Sequence, residues 1–188
     1  VSTLSTSEIA AQAIVVVLEA FTSMPSMAIG LGLITVAGRC MGAGRPDEAK
    51  RYTLKLTALS AVVLLVFNWA VYFLTGPITR LAGMEAEAAA LTCSLMLIIS
   101  IVKPFLWPMA FTPVNGMKAA GDVRFAMIVS TITMWIFRVG LCYLLIRGFG
   151  FGPLGVWIGM FADWGVRSII YSVRFFRGRW ATKHVLKD

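Results

Sequence analysis

Ionisable and strongly polar residues inside long apolar stretches are the positions where this sequence could do chemistry. Such side chains are costly in a bilayer, so each one is a candidate for a binding or ion-pathway role. The candidates are Glu19, Asn68, Lys103 with its neighbour Trp107, Arg138 and Asp163. A rise of about 1.5 Å per helical residue places four of them, all except the Lys103–Trp107 pair, near the membrane midplane or in its outer half. Polar groups at similar depth on different helices predict a water-accessible cavity that faces the interior of a bundle.

Each candidate also has a purely structural interpretation. Asp163 and Arg167 are four residues apart, so on a helix they share a face and can form an ion pair that only locks the fold. Lys103 can extend its ammonium group to the inner membrane interface, bind backbone carbonyls freed by nearby prolines, or line a pathway beside Trp107. Arg138 has no acidic neighbour on its own helix, and the sequence leaves both interpretations open for it.

The composition is that of a membrane protein. Of 188 residues, 59% are hydrophobic and 14% are charged, and the mean hydropathy is +0.82. A soluble domain of this length does not need so apolar a sequence. The net charge of +8 does not indicate nucleic-acid binding, because the basic residues fall at the ends of apolar stretches and not in one tract.

The sequence contains no recognisable catalytic or metal-binding motif. The single histidine, His184, lies in the C-terminal tail, and the three cysteines have no metal-ligand spacing. Zinc-protease, serine-hydrolase and nucleotide-binding motifs are missing as well. We therefore expect neither an enzyme nor a cofactor or metal site.

Five apolar stretches predict an all-α polytopic transmembrane bundle. The predicted spans are residues 9–37, 54–75, 88–117, 124–146 and 154–174. The third contains Pro104, Pro108 and Pro113, and because proline cannot donate a backbone hydrogen bond, we expect this helix to bend or unwind between Lys103 and Pro113.

Basic residues concentrate in alternate connections. The first connection, the third connection and the C-terminal tail are rich in lysine and arginine, whereas the second and fourth each contain one arginine. The positive-inside rule then predicts a multi-pass protein of the cell (inner) membrane, with the N-terminus outside and the C-terminus in the cytoplasm.

Several segments resemble the multidrug and toxic compound extrusion (MATE) transporters. They are AIGLGLITVAGRCMGAGRPDEAKR (28–51), GMKAAGD (116–122), WIFRVGLCYLL (135–145) and GVWIGMFADWGVRSIIYSVRFFRGRW (155–180). The resemblance covers nearly the whole chain and implies that its helices correspond to the eighth to twelfth of the family's twelve. Residues 1–188 would then form the C-terminal lobe without its first helix, an incomplete six-helix lobe, and we expect them to be part of a longer protein.

The resemblance also implies an activity. Such a transporter extrudes small amphipathic, often cationic compounds in exchange for H⁺ or Na⁺ by alternating access of two lobes. Its partners would be the lipid bilayer, the missing first lobe and the seventh helix. Some members carry a coupling carboxylate in the tenth helix, but the corresponding position here is Pro108. The alternatives are a lipid-linked oligosaccharide flippase of the same superfamily and a truncated membrane scaffold or subunit without transport activity.

Overall fold

A computed structural model describes residues 5–178 and Trp180, and within these residues the chain is helical apart from short turns. The helices are α1 (Thr6–Gly42), α2 (Pro46–Leu81), α3 (Ala86–Ala119), α4 (Val123–Thr133), α5 (Cys142–Phe149) and α6 (Gly152–Phe176). A π-helical segment, Met134–Leu141, joins α4 to α5, and these three pieces together are called the fourth span. The predicted all-α membrane bundle is confirmed. Most of the basic tail lies outside the described residues.

Within the described residues, four helical stretches are long and apolar enough to cross a membrane. They are α1, α2, α3 and the fourth span, Val123–Phe149. Helix α6 has 25 residues but is less apolar, because Asp163 and Arg167 interrupt it. Its position as a fifth span therefore stays a prediction.

Glycines end the helices at the four turns that connect these stretches. Gly44, Gly83, Gly121 and Gly150 all have positive φ, between 63° and 86°. After α1, Gly44 donates to the carbonyl of Met41 and the next residue donates to the carbonyl of Cys40 at 2.9 Å. This is the left-handed glycine cap, which satisfies the last carbonyls and reverses the chain within a few residues.

Helix α2 buries polar residues and exposes apolar ones, the inverse of the pattern of a helix in a soluble protein. Its buried positions recur every three or four residues, and most of them hold polar side chains, namely Thr53, Thr57, Ser60, Asn68, Thr75 and Thr79. The threonine hydroxyls are satisfied locally; Thr57, for example, donates to the carbonyl of Thr53 at 2.7 Å. Small side chains let helices approach closely in lipid, where burial of apolar surface gives no driving force.

Helix α3 lies at the centre of the bundle and packs against α1, α2 and α6. All three of its prolines are inside one continuous α-helix, so the helix does not unwind between Lys103 and Pro113. The bend that was predicted as the other outcome stays a prediction. Each proline removes a single hydrogen bond from the ladder, and contacts with neighbouring helices hold the remaining turns in place.

Two apolar clusters lie at opposite ends of the bundle. One is built around Trp107, Trp157 and Trp164, and the other around Tyr171, Phe175 and other side chains of α1 and α3. Trp180 belongs to the second cluster, where it is fully buried and its ring stacks on that of Phe175 with centroids 5.2 Å apart.

Candidate binding cavity

A cavity of about 540 Å³ opens between α1, α3, α6 and the fourth span. Helix α1 contributes Glu19, Ser23, Ser26, Gly30 and apolar side chains between them, α3 contributes Trp107, Phe111, Thr112, Asn115 and Lys118, the π-helical segment contributes Arg138, and α6 contributes Met160 and Trp164. Apolar walls with a few polar groups are typical of small-molecule sites.

Aromatic rings form one wall of this cavity. Trp107 and Phe111 are stacked with ring centroids 4.8 Å apart, and Trp164 meets Phe111 edge-on at 6.5 Å. Trp107 and Trp164 are both more than 90% buried, so packing fixes their orientation. This wall can contact a flat apolar ligand without any rearrangement.

Glu19 is the acidic group of the cavity, and it is paired. Lys103 Nζ lies 2.7 Å from Glu19 Oε1 and also donates to the Glu19 carbonyl at 2.8 Å and to Thr22 Oγ1 at 2.9 Å. These three acceptors satisfy all three donors of the ammonium group. Ser23 donates a further hydrogen bond to Glu19 Oε1 at 3.1 Å.

Lys103 makes its polar contacts inside the bundle. Its side chain is fully buried, directly behind Glu19, and it is not part of the cavity wall. Neither the predicted extension to the interface nor a place on the wall beside Trp107 is seen, and a role for Lys103 in a transport pathway stays a prediction. The Glu19 carboxylate on the neighbouring helix is the counter-ion of Lys103, and without it burial of the ammonium group in the bundle would be costly.

Arg138 lies on the cavity wall and is exposed there. Its one hydrogen bond within the described residues is a long contact of 3.9 Å from Nη2 to Met160 Sδ. No carboxylate of the described residues forms an ion pair with it. Its neighbours along the chain are apolar or small and offer no acidic group either.

The π-helical segment determines where Arg138 points. A π-helical turn shifts the following side chains around the helix axis and is frequent at functional sites. Helix α6 approaches this segment closely at Gly159, where a Cβ atom would lie 3.1 Å from the carbonyl oxygen of Phe137 and closer still to Cys142 Sγ. Any larger residue at position 159 would push α6 away from the segment.

Asp163 and Arg167 form a buried ion pair that is not part of the cavity wall. Arg167 Nε donates to Asp163 Oδ1 and to Thr133 Oγ1, both at 2.8 Å, and its Nη2 donates to the Ser130 carbonyl at 3.0 Å. The pair therefore connects α6 to α4. Asp163 does not line the cavity, contrary to the predicted common cavity for the polar candidates.

Asn68 is also absent from the cavity wall. It is fully buried between α2 and α3, donates to the Leu64 carbonyl at 3.0 Å, and accepts a 3.3 Å hydrogen bond from Ser100 at its own carbonyl. Its position among the polar residues on the inner face of α2 explains the difference, because that face packs against α1 and α3 and Asn68 is enclosed there.

A hydroxyl cluster was missed at the sequence level. Ser26 and Ser60 share a short hydrogen bond, and Thr112 donates to Ser60 Oγ at 3.2 Å, so the cluster connects α1, α2 and α3. Ser26 and Thr112 also line the cavity. The available signal was the spacing of small polar residues in otherwise apolar helices.

A bundle of long apolar helices around an open, aromatic-lined cavity with charged side chains defines an integral membrane protein with a small-molecule binding cavity. The family model MatE matches residues 1–144, and the chain belongs to this family. The resemblance noted in the sequence is thereby confirmed.

Named relatives agree with this assignment. The chain is 24% identical over 168 residues to "Probable multidrug resistance protein NorM" of Thermotoga maritima. These aligned residues make up 89% of this chain and 36% of that protein. It is 28% identical over 174 residues to a protein of the same name from Halalkalibacterium halodurans, covering 92% of this chain and 38% of the relative. "Uncharacterized transporter YisQ" of Bacillus subtilis is 28% identical over 163 residues, with 83% and 34% covered. The chain thus spans little more than a third of the length of these relatives. No solved structure matches it.

Proposed function

We propose that this chain is part of a secondary active multidrug exporter that exchanges amphipathic compounds for H⁺ or Na⁺. The observation that carries the proposal is the cavity, whose aromatic wall and charged groups lie on an open face of the bundle. Membership of the MatE family and the multidrug-resistance names of the relatives support it. A second lobe facing this cavity would complete a pathway that opens alternately to each side of the membrane.

Export is tested in cells that lack their own multidrug pumps. We expect expression of the full-length protein to lower the accumulation of several amphipathic dyes, and a proton or sodium ionophore to abolish the effect. Replacing Trp107 with alanine, which removes the stacking partner of Phe111, should raise dye accumulation again at equal protein levels. Unchanged accumulation with well-expressed protein would reject export and favour a scaffold.

We also propose that the turns after α1 and α3 face the cytoplasm. The basic residues near the first turn, within residues 39–51, and those of residues 118–124 support this orientation. Single cysteines at Asp47 and Ala82, both exposed, test it in a variant whose three native cysteines are replaced. In intact cells an impermeant maleimide should label position 82 and not position 47, and the reverse result would invert the orientation.

A further inference from the structure

The charged side chains of the cavity wall do not balance. The ionisable residues that line it are Glu19, Lys118 and Arg138. Lys103, directly behind the wall, already neutralises Glu19 at 2.7 Å. Neither Lys118 nor Arg138 has an ion-pair partner within the described residues. Among the described residues, the uncompensated charge of the cavity wall is therefore positive.

Arg138 is the stronger of the two cationic groups as a ligand-binding residue. Lys118 lies in the last turn of α3, beside the turn to α4, where water can solvate it. Arg138 lies fifteen residues beyond Val123, about 22 Å along an apolar span that is long enough to cross a membrane. An arginine without a carboxylate partner at that depth is costly unless a ligand or water supplies the acceptor.

The donors of Arg138 are available. A guanidinium group has five N–H donors in a planar fork, and within the part of the chain that the structure describes only the long contact to Met160 Sδ uses one of them. This fork matches the two oxygens of a carboxylate or sulfonate and can bind them with two parallel hydrogen bonds.

An aromatic surface lies on another wall of the same cavity. Trp107 and Phe111 present a stacked pair of rings, and Trp164 lies beside them. A cavity of about 540 Å³ is large enough for a ligand with one or two fused rings. A flat apolar body and a negatively charged head can therefore be accommodated together.

We propose that this cavity selects amphipathic aromatic anions, with the acidic head bound by Arg138 and the ring system packed on Trp107 and Phe111. The inference rests on the proposed exporter function and departs from the preference for cations that the family resemblance implies. Lys103 is the reason for the departure. Without its ammonium group, Glu19 would present an unpaired carboxylate to the cavity and attract a cation.

Three probes with one ring system test the charge preference. They are naphthoate, the naphthylmethyl-trimethylammonium ion and naphthylmethanol, which are anionic, cationic and neutral. Binding to the purified full-length protein is measured by equilibrium dialysis, and ion-driven uptake is measured in everted membrane vesicles. We expect naphthoate to bind at least tenfold more tightly than the ammonium probe and to be the better transported of the two.

Variants of two arginines on the fourth span provide the matched comparison. Arg138→Gln should weaken naphthoate binding about ten- to hundredfold, the effect of losing hydrogen bonds to a charged group, and leave naphthylmethanol binding unchanged. Arg138→Lys, which keeps the charge and loses the fork, should recover part of the loss. Arg147→Gln is the control, because Arg147 lies on the same span but not on the cavity wall.

The two measurements separate failure of this inference from failure of the proposed function. Anion-selective binding that depends on Arg138 supports the inference, whether or not the probes accumulate in vesicles. Binding without accumulation would reject the proposed export and leave the inference about the cavity intact. Equal or tighter binding of the ammonium probe would overturn the inference, whether or not the protein exports drugs. An Arg138→Gln loss of the same size for all three probes would also overturn it, because it would show a general distortion of the cavity.

Discussion

Two buried ion pairs of this protein use the same chemistry in different places. Asp163 and Arg167 lie four residues apart on α6, whereas Glu19 and Lys103 come from α1 and α3. In each pair the cation has three oxygen acceptors, which removes most of the cost of burying it. Burial and pairing alone therefore do not distinguish a structural lock from a functional group.

Access to the cavity distinguishes them. The side chain of Asp163 is 1% exposed and lies outside the wall, whereas Glu19 is 14% exposed and lies on it. Arg167 nevertheless lies close behind the wall, since its guanidinium carbon is 5.8 Å from the centroid of Phe111. A charged side chain within an apolar span is therefore a candidate functional group when it lies on the cavity wall, as Glu19 does, and a structural one when it does not, as for Asp163. The following predictions test this difference between the two ion pairs.

The largest effect is expected for Glu19→Leu. This change leaves the fully buried ammonium of Lys103 without a counter-ion, and breaking a buried pair in this way costs about 3 kcal/mol or more. The apparent melting temperature of the detergent-solubilised protein should fall strongly, together with export. Fluorescence-detected size-exclusion chromatography after heating measures the first effect.

The double variant Glu19→Leu/Lys103→Met is the control. Removing both charges leaves no unpaired ion, so most of the lost stability should return, and the net charge at and directly behind the wall is unchanged. A double variant as unstable as Glu19→Leu alone would show that the ion pair is not the cause.

The sequence predicted one of these pairs and not the other for a geometric reason. The spacing of Asp163 and Arg167 places them on one helix face, so their contact follows from helical periodicity alone. Glu19 and Lys103 are 84 residues apart, and their contact depends on how α1 packs against α3. Helix positions and the all-α class follow from apolar length, which is a local property, whereas the cavity wall is a product of packing.

The same distinction explains the other differences. Counting residues gave Asn68 and Asp163 a depth in the membrane but not a direction around their helices, and direction decides whether a side chain reaches the cavity. For Asn68 the direction was available from the polar residues of α2, because Ser60 and Thr75 lie two helical turns before and after it on the same face. For Arg138 it was not, because a π-helical segment changes the angular position that regular helical spacing predicts.

A smaller effect is expected for Asp163→Asn. The asparagine oxygen can still accept from Arg167 Nε, and Thr133 and the Ser130 carbonyl continue to bind the guanidinium group. We expect a loss of about 1–2 kcal/mol in stability and a lower folded yield. Drug export per folded molecule should change by less than twofold. A stable, well-expressed Asp163→Asn protein that exports nothing would contradict the structural role and point to ion or substrate binding.

The smallest effect is expected for Glu48→Gln, which removes an ion pair outside the apolar core of the bundle. Arg45 Nη1 lies 3.4 Å from Glu48 Oε1 in the turn that starts α2, with the two side chains 67% and 47% exposed. Water screens such a pair, and its loss should change stability by no more than about 0.5 kcal/mol. Because Arg45–Glu48 and Asp163–Arg167 have similar spacing along a helix, the pair of substitutions isolates the contribution of burial. Equal losses for Glu48→Gln and Asp163→Asn in the same melting experiment would mean that burial adds nothing to the Asp163 pair.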